Sequence, residues 1–256
     1  MNETVAELQR DRIVKLLAAG KRIDGRRADE PRPLSVQKGV ISTAEGSARV
    51  HLGRTDVLVG VKIGLGEPFP DTPNSGVLTT SAELPPMASP TFETGPPSPT
   101  AVEIARVVDR GIRESKAIDM AKLCIVPGEK VWVLYIDIHA LDFDGNLLDA
   151  ASYGAMAALT TATLPGTKMG GEDKPLPVEC VPISITCAKI GEHLLVDPCL
   201  DEERIAEARL TVTTDEKGAI RAMQKGLNGS FRFDEVQRVI GLSAAVGKGI
   251  REIILK

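Results

Sequence analysis

The alternation of apolar and polar residues along the chain predicts strands gathered before helices, twice over. The first group comprises a helix over residues 4–19, strands over 34–42, 47–52, 55–63 and 77–84, a helix over 99–117, a strand over 131–142 and a helix from about 147 to 164. The second group comprises strands near 181–190, 193–197, 207–214 and 219–226 and a helix from about 234 to the end. This order indicates an α+β fold rather than a doubly wound sheet.

The stretch DFDGNLLDAASYGAMAAL (142–159) combines an Asp-Gly turn with a helix rich in alanine and glycine. Small residues on several faces predict a central helix that approaches neighbouring backbone closely. A helix N-terminus after a glycine turn favours anions, because its free N–H groups and its dipole point at the turn. The next residues, Asn146, Leu147, Leu148 and Asp149, add no positive charge and one negative charge. Any backbone anion site here should therefore be weak.

Composition and charge describe an ordinary chain with a substantial core. The chain has 256 residues, 43% of them hydrophobic and 26% charged, with a formal net charge of −4. This balance excludes coating of nucleic acid by bulk charge but allows a local basic patch. No apolar run approaches membrane-spanning length, and the N-terminus lacks the basic start and apolar centre of a signal peptide. We therefore expect a cytoplasmic protein with no membrane partner.

Cysteines and histidines give no pattern typical of a metal or cofactor site. Four cysteines are scattered without a Cys-x-x-Cys spacing, and three histidines fall in separate strand-like runs. We expect reduced cysteines in or near the core, no metal and no cofactor. Aromatic residues make up only 3% of the chain, which argues against sequence-specific stacking of RNA bases.

Arg106, Arg110 and Arg113 are spaced so that they share one face of the helix predicted over 99–117. Glu103 could pair with Arg106 or Arg110, and Asp109 could pair with Arg113. Spacing alone favours a solvated face with such ion pairs, each of which would stabilise the helix weakly.

Four stretches, in this order, resemble the RNase PH family. They are RIDGRRADEPRPL (22–34), EGSARVHLGRTDVLVGVKI (45–63), TFETGPPSPTAVEIARVVDRGIRESKAID (91–119) and LVDPCLDEE (195–203). The last two resemble one branch of the family, the non-catalytic RNase PH-like subunit of the archaeal exosome. The resemblance to the family covers nearly the whole chain.

This resemblance implies an RNase PH-like fold of mixed β-sheets packed with helices, with an internal pseudo-duplication. We expect an N-terminal helix and basic turn segment over 1–33, a first half over 34–164, a linker over 165–177 and a second half over 178–256. Two kinds of subunit would alternate in a hexameric ring, three copies of each. The catalytic sister subunit would degrade single-stranded RNA from 3′ to 5′ by phosphorolysis, or add tails in reverse, and RNA-binding cap proteins would sit on the ring.

The resemblance also assigns expectations to residues. Active members hold phosphate with a Gly-Ser-Arg or similar loop at the start of this same helix, where this chain has Gly145, Asn146, Leu147 and Leu148. Without the serine and the arginine, this turn reads as a vacated phosphate site, and no residue is assigned a catalytic role. Of the active members' paired aspartates, only Asp197 is matched.

The arginines of the 99–117 helix gain a different interpretation from the resemblance. Arg106 and Arg110 match arginines that contact RNA in the related subunit, and with Arg113 they form the expected RNA-binding face. Three alternatives stay open: an active phosphorolytic exoribonuclease, a stand-alone RNA-binding module and, least favoured, a small-molecule kinase, for which no Gly-rich ATP loop is found.

Overall fold

A six-stranded sheet forms most of the first half of the chain in the computed structural model, which describes residues 3–256, without the side chains of 3–8, 168 and 169. Its strands are β1 (Leu34–Lys38), β2 (Gly46–Leu52), β3 (Thr55–Gly66), β4 (Val77–Glu83), β5 (Cys124–Val126) and β6 (Lys130–Asp142). Their order is β1-β2-β3-β6-β4, with β5 paired to one end of β6. Every pair is antiparallel except β4 with β6, which are parallel, and β4 lies at the end of the sheet.

A second sheet of four strands forms most of the second half. Two short strands, β7 (Thr163–Leu164) and β8 (Lys174–Pro175), pair with each other. They lie in the part of the chain that connects the two large sheets. The second sheet then has the order β10-β9-β11-β12, all antiparallel. Its strands are β9 (Ile183–Ile190), β10 (His193–Val196), β11 (Ala208–Thr214) and β12 (Ile220–Gly226).

Helices pack between and around these sheets. They are α1 (Glu3–Ala18), α2 (Pro99–Glu114), α3 (Leu147–Thr161), α4 (Leu200–Ile205) and α5 (Phe233–Leu255). Helix α3 contacts β2 and β3 of the first sheet and β9 of the second, and α5 contacts β9 and β11. Every residue from Leu147 to Leu159 is buried. The prediction of a central, buried helix is therefore confirmed.

Small residues are what allow α3 to sit so close to the first sheet. A Cβ added at Gly154 would lie 2.7 Å from Cγ2 of Val59. One continuous cluster of buried apolar side chains spans both sheets and α3. None of the helices within residues 3–256 has the length and apolar character needed to cross a bilayer.

Most predicted elements are present within a few residues of their predicted ends, and α2 and α5 begin within one residue of their predicted starts. Helix α2 is capped by Ser98, whose Oγ accepts a hydrogen bond from Ala101 N at 3.2 Å. At α5, which begins at Phe233, Glu235 accepts from the N–H of Arg232 at 2.7 Å. The hydroxyl of Ser98 and the carboxylate of Glu235 thus satisfy free N–H groups at the starts of the two helices.

Candidate functional site

The Asp-Gly turn lies in the interior, where β6 ends and α3 begins. Gly145 has φ +90°, and a Cβ there would stand 2.6 Å from the carbonyl carbon of Cys199 and from the nitrogen of Leu200. Glycine is therefore required both for the backbone conformation and for the close approach of the 197–200 loop. Asn146 follows in the left-handed region with φ +53°, which asparagine tolerates better than most residues.

Arg32 fills the space beside this turn. Its Nη2 donates to Asp197 Oδ1 at 2.7 Å and its Nε donates to Asp197 Oδ2 at 2.9 Å. The same guanidinium donates to the carbonyl oxygens of Asp144 at 2.7 Å and Gly145 at 3.1 Å. Burial alone would raise the pKa of Asp197, but the hydrogen bonds and charge of Arg32 outweigh burial and hold that pKa below its ordinary value.

Asn146 links Asp197 to a second buried carboxyl group. Its Nδ2 donates to Asp197 Oδ1 at 2.7 Å and to Asp149 Oδ2 at 2.8 Å. Asp149 also accepts from Thr186, from the N–H at 2.9 Å and from Oγ1 at 2.7 Å. Burial, only partly offset by these hydrogen bonds, raises the pKa of Asp149 to about 7.

The four residues matched to the phosphate loop are therefore enclosed. Asn146, Leu147 and Leu148 are between 1% and 5% exposed. The N–H of Asn146 donates to Glu203 Oε2 at 3.1 Å, and the N–H of Asp149 is 3.4 Å from Asn146 Oδ1. A phosphate at this turn would have to displace Glu203 from Asn146 and Asp197 from Arg32.

The acids that follow Asp197 also have arginine partners. Glu202 accepts from buried Arg22 at 2.9 Å and 2.5 Å, and Glu203 accepts from Arg209 at 3.3 Å. These acids lie in the first turn of α4, which follows Cys199. Across the described side chains, no group of three His, Cys, Asp or Glu residues is arranged to bind a metal ion.

Sequence reasoning missed the interior positions of Arg22 and Arg32. Both arginines are almost fully buried, at 3% and 6% exposure, although arginine is rarely found in a protein interior. The signal that could have found them is the excess of acids in 197–203, since a buried carboxylate needs a cationic partner from elsewhere in the chain.

Arg106, Arg110 and Arg113, here called the arginine face, line a groove of about 600 Å³ between α2 and β4. Arg113 pairs with Asp109 at 2.9 Å, which confirms the predicted pair. Its Nη2 also donates to the carbonyl oxygen of Leu78 at 3.2 Å.

The predicted pairing of Glu103 with Arg106 or Arg110 is wrong. Glu103 accepts instead from Arg209, on β11, at 2.8 Å. Arg110 donates to Gln224 Oε1 at 3.3 Å, and Arg106 is exposed with no carboxylate in ion-pair range among the side chains described. A second cavity, of about 230 Å³, lies between α2 and β12 and shares Arg106 and Arg110 with the first. These two arginines can thus reach an anion from either side of α2.

Known proteins resemble the chain along almost its whole length. The family model "3' exoribonuclease family, domain 1" matches residues 30–165, and "domain 2" of the same family matches residues 180–246. The chain is 54% identical over 263 residues to the "Exosome complex component Rrp42" of Thermococcus kodakarensis, covering 99% of this chain and 97% of that protein.

Two solved structures share the fold. One is described as the Archaeoglobus fulgidus exosome with RNA bound to the active site; the match has a TM-score of 0.95 and 46% identity and covers 98% of this chain and 99% of that one. The other is an archaeal exosome core, with a TM-score of 0.91, 42% identity and coverage of 99% and 98%. The RNase PH-like fold predicted from the four sequence stretches is confirmed. The chain belongs to the RNase PH family of 3′ exoribonucleases, in the group of archaeal exosome components named Rrp42.

Proposed function

We propose that the chain is a non-catalytic ring subunit of an archaeal-type exosome. It alternates with a catalytic RNase PH-like sister subunit, three copies of each, and supports 3′-to-5′ phosphorolysis of single-stranded RNA and the reverse tailing reaction. It does so by shaping the sister's active site and by gripping RNA in the channel, below RNA-binding cap proteins.

The enclosed Asp-Gly turn is the observation that carries the non-catalytic assignment. Phosphorolysis needs an inorganic phosphate held next to the RNA 3′ end, with its charge neutralised by fixed donors. Here the guanidinium of Arg32 is already neutralised by Asp197, and Leu147 and Leu148 offer no side-chain donor. Gly145, Asn146, Leu147 and Leu148 therefore make up a vacated phosphate-site turn that is retained for folding.

The arginine face supplies the contribution to RNA binding. A few placed guanidinium groups can grip a phosphate backbone without making the whole chain basic. Arg106 has no carboxylate to release within the described residues, and Arg110 gives up only one hydrogen bond to Gln224. Arg113 contributes less, because an RNA phosphate would compete with Asp109 for it.

Reconstitution separates this proposal from its alternatives. The chain alone, the sister alone and the mixture are each assayed for phosphate-dependent release of nucleoside diphosphates from single-stranded RNA, with mass measured in parallel. We expect a hexamer-sized species in the mixture and phosphorolysis that disappears when the sister's site is disabled. Phosphorolysis by this chain alone would establish an active enzyme, and RNA binding without any hexamer would establish a stand-alone module.

We also propose the domain division 1–33, 34–164, 165–177 and 178–256, because the first sheet lies in 34–164 and the second in 178–256. Limited proteolysis should then cut first within 165–177.

A cytoplasmic location is proposed from the four free cysteines, which suit a reducing compartment. Cell fractionation with an antibody against the chain would test that location.

A further inference from the structure

Strand β4 exposes main-chain hydrogen-bonding groups at the end of the first sheet. Two contacts show which way its even-numbered residues point. The N–H of Gly76, just before β4, donates to the carbonyl of Met120 at 2.8 Å, and the carbonyl of Leu78 accepts from Arg113 at 3.2 Å. Both partners lie off β6. Since main-chain groups alternate in direction along a strand, the next even-numbered residues also face away from β6.

Thr80 and Ala82 are those next residues, and their outward groups are open. Within the described residues no hydrogen bond reaches their outward N–H or C=O groups, and Thr80 Oγ1 is buried without a partner. The groove of about 600 Å³ runs alongside, with Val102, Ala105 and Arg106 on its far wall. Edge strands that stay unpaired are usually blocked by proline, lysine or a bulge. VLTTSAE has no proline or lysine, and its register with β6 is unbroken.

The geometry points to strand addition at this edge: an extended segment of the sister subunit pairs with β4 and packs one face of its side chains in the groove against α2. This inference rests on the proposed function, because the sister subunit is the ring partner proposed above. A strand fits because its own N–H and C=O groups alternate with the spacing that Thr80 and Ala82 present.

Charge argues that the added strand belongs to a different chain. Two copies of this chain could pair β4 with β4 antiparallel only about a twofold axis normal to the sheet. That axis leaves both α2 helices on the same face and brings Arg106 and Arg110 of one copy towards those of the other, at a cost in like-charge repulsion. A sister strand avoids this repulsion, and its addition places Arg106 and Arg110 at the boundary between the two chains, within reach of RNA bound by the sister.

Amide hydrogen exchange read at single residues tests the inference. We expect the N–H groups of Thr80 and Ala82 to exchange quickly in the free chain and at least about a hundredfold more slowly in the assembly with the catalytic sister subunit. Thr79 and Ser81, whose groups face β6, should be protected in both states. Slow exchange that appears at Thr80 and Ala82 only on assembly would show that their outward N–H groups gain hydrogen-bond acceptors, and Thr79 and Ser81 serve as the internal reference.

The remaining outcomes separate the inference from the proposed function. If the wild-type mixture gives no hexamer-sized species, the proposed ring fails. If the hexamer forms but Thr80 and Ala82 still exchange quickly, strand addition alone is wrong. Protection that appears in the chain by itself at high concentration would assign the edge to a second copy, and protection that requires RNA would assign it to RNA; either result overturns the inference.

A substitution gives an independent readout. Thr80→Pro removes an outward N–H that β6 does not use and blocks strand pairing, so assembly should weaken by at least about tenfold. Thr79→Ala, at an exposed side chain on the same strand, is the matched control and should assemble normally. Normal assembly of a folded Thr80→Pro variant would contradict the inference, and if that variant does not fold, the exchange experiment decides.

Discussion

The guanidinium of Arg32 grips the carboxylate of Asp197 through two hydrogen bonds of 2.7 Å and 2.9 Å, although the two residues are 165 positions apart in sequence. The pair joins the segment before β1 to the loop before α4, and it closes over the Asp-Gly turn through the carbonyls of Asp144 and Gly145. An arginine beside a helix N-terminus could bind phosphate. Here the carboxylate of Asp197 occupies the position where a phosphate would bind. Arg32 therefore links Asp197 to the Asp-Gly turn instead of binding phosphate.

The first prediction concerns two arginines that reach this turn. Arg32→Met should lower the free energy of unfolding by about 3–5 kcal/mol, because Asp197 is left buried without its cation. Arg54→Met is the control: Arg54 pairs with Asp144, but its side chain is 82% exposed, so little change is expected. Chemical denaturation of the free subunit measures both. Equal effects of the two substitutions would show that burial of the Arg32–Asp197 pair does not matter.

The second prediction isolates close approach from backbone conformation. Gly145→Ala and Gly128→Ala both place a side chain at positive φ, +90° and +76°, but only at Gly145 would the new Cβ meet backbone, at 2.6 Å. Left-handed strain alone should cost Gly128→Ala roughly 1 kcal/mol. The close contact of the new Cβ with backbone should raise the loss of unfolding free energy in Gly145→Ala to roughly 3 kcal/mol. Thermal unfolding of both variants compares them, and a Gly145→Ala variant as stable as Gly128→Ala would contradict the packing argument.

Local patterns in the sequence predicted the elements that depend on local causes. The run of small residues in 147–159 predicted a buried central helix, because only small side chains let a helix touch both sheets. The i, i+4 spacing of Asp109 and Arg113 predicted their ion pair, since both lie on one helix. The three histidines lie in β2, β6 and β10, as their strand-like surroundings indicated.

Partners from distant segments could not be predicted in the same way. Helical spacing predicted that Glu103 pairs with Arg106 or Arg110. It pairs instead with Arg209 of β11, whose side chain is only 13% exposed. Helical spacing gives the neighbours on one helix and says nothing about a strand that packs against it. The closure of the Asp-Gly turn by Arg32 was missed for the same reason, since no spacing rule connects it with Asp197.

The third prediction tests the arginine face. Arg106→Glu should weaken RNA binding by the assembled ring by roughly tenfold at low salt, with a smaller loss at high salt, because a phosphate contact becomes a repulsion. Arg238→Glu, at another exposed arginine, on α5, is the matched control for loss of net charge. Filter binding and RNA turnover are measured at several salt concentrations, with ring mass checked for each variant. If the assembled Arg106→Glu ring bound and degraded RNA like the control at every salt concentration, Arg106 would have no role in the channel.

The fourth prediction concerns the buried carboxyl group of Asp149. Because burial raises its pKa in the folded chain to about 7, above the ordinary value of 3.8, folding takes up a proton between those two pH values. The stability from this group is complete below about pH 4 and is lost as the pH rises to 7, with about 3 kcal/mol of the loss between pH 5 and pH 8. The lowered pKa of Asp197 changes stability in the opposite sense but only below the ordinary pKa of an aspartate, so the pH ranges of the two effects do not overlap.

Asp149→Asn can keep the bonds to Asn146 and Thr186 with an amide in place of the protonated carboxyl group. Denaturation midpoints of the free subunit across this range should fall with pH in the wild type and flatten in Asp149→Asn, and an unchanged slope in the variant would show that another group titrates.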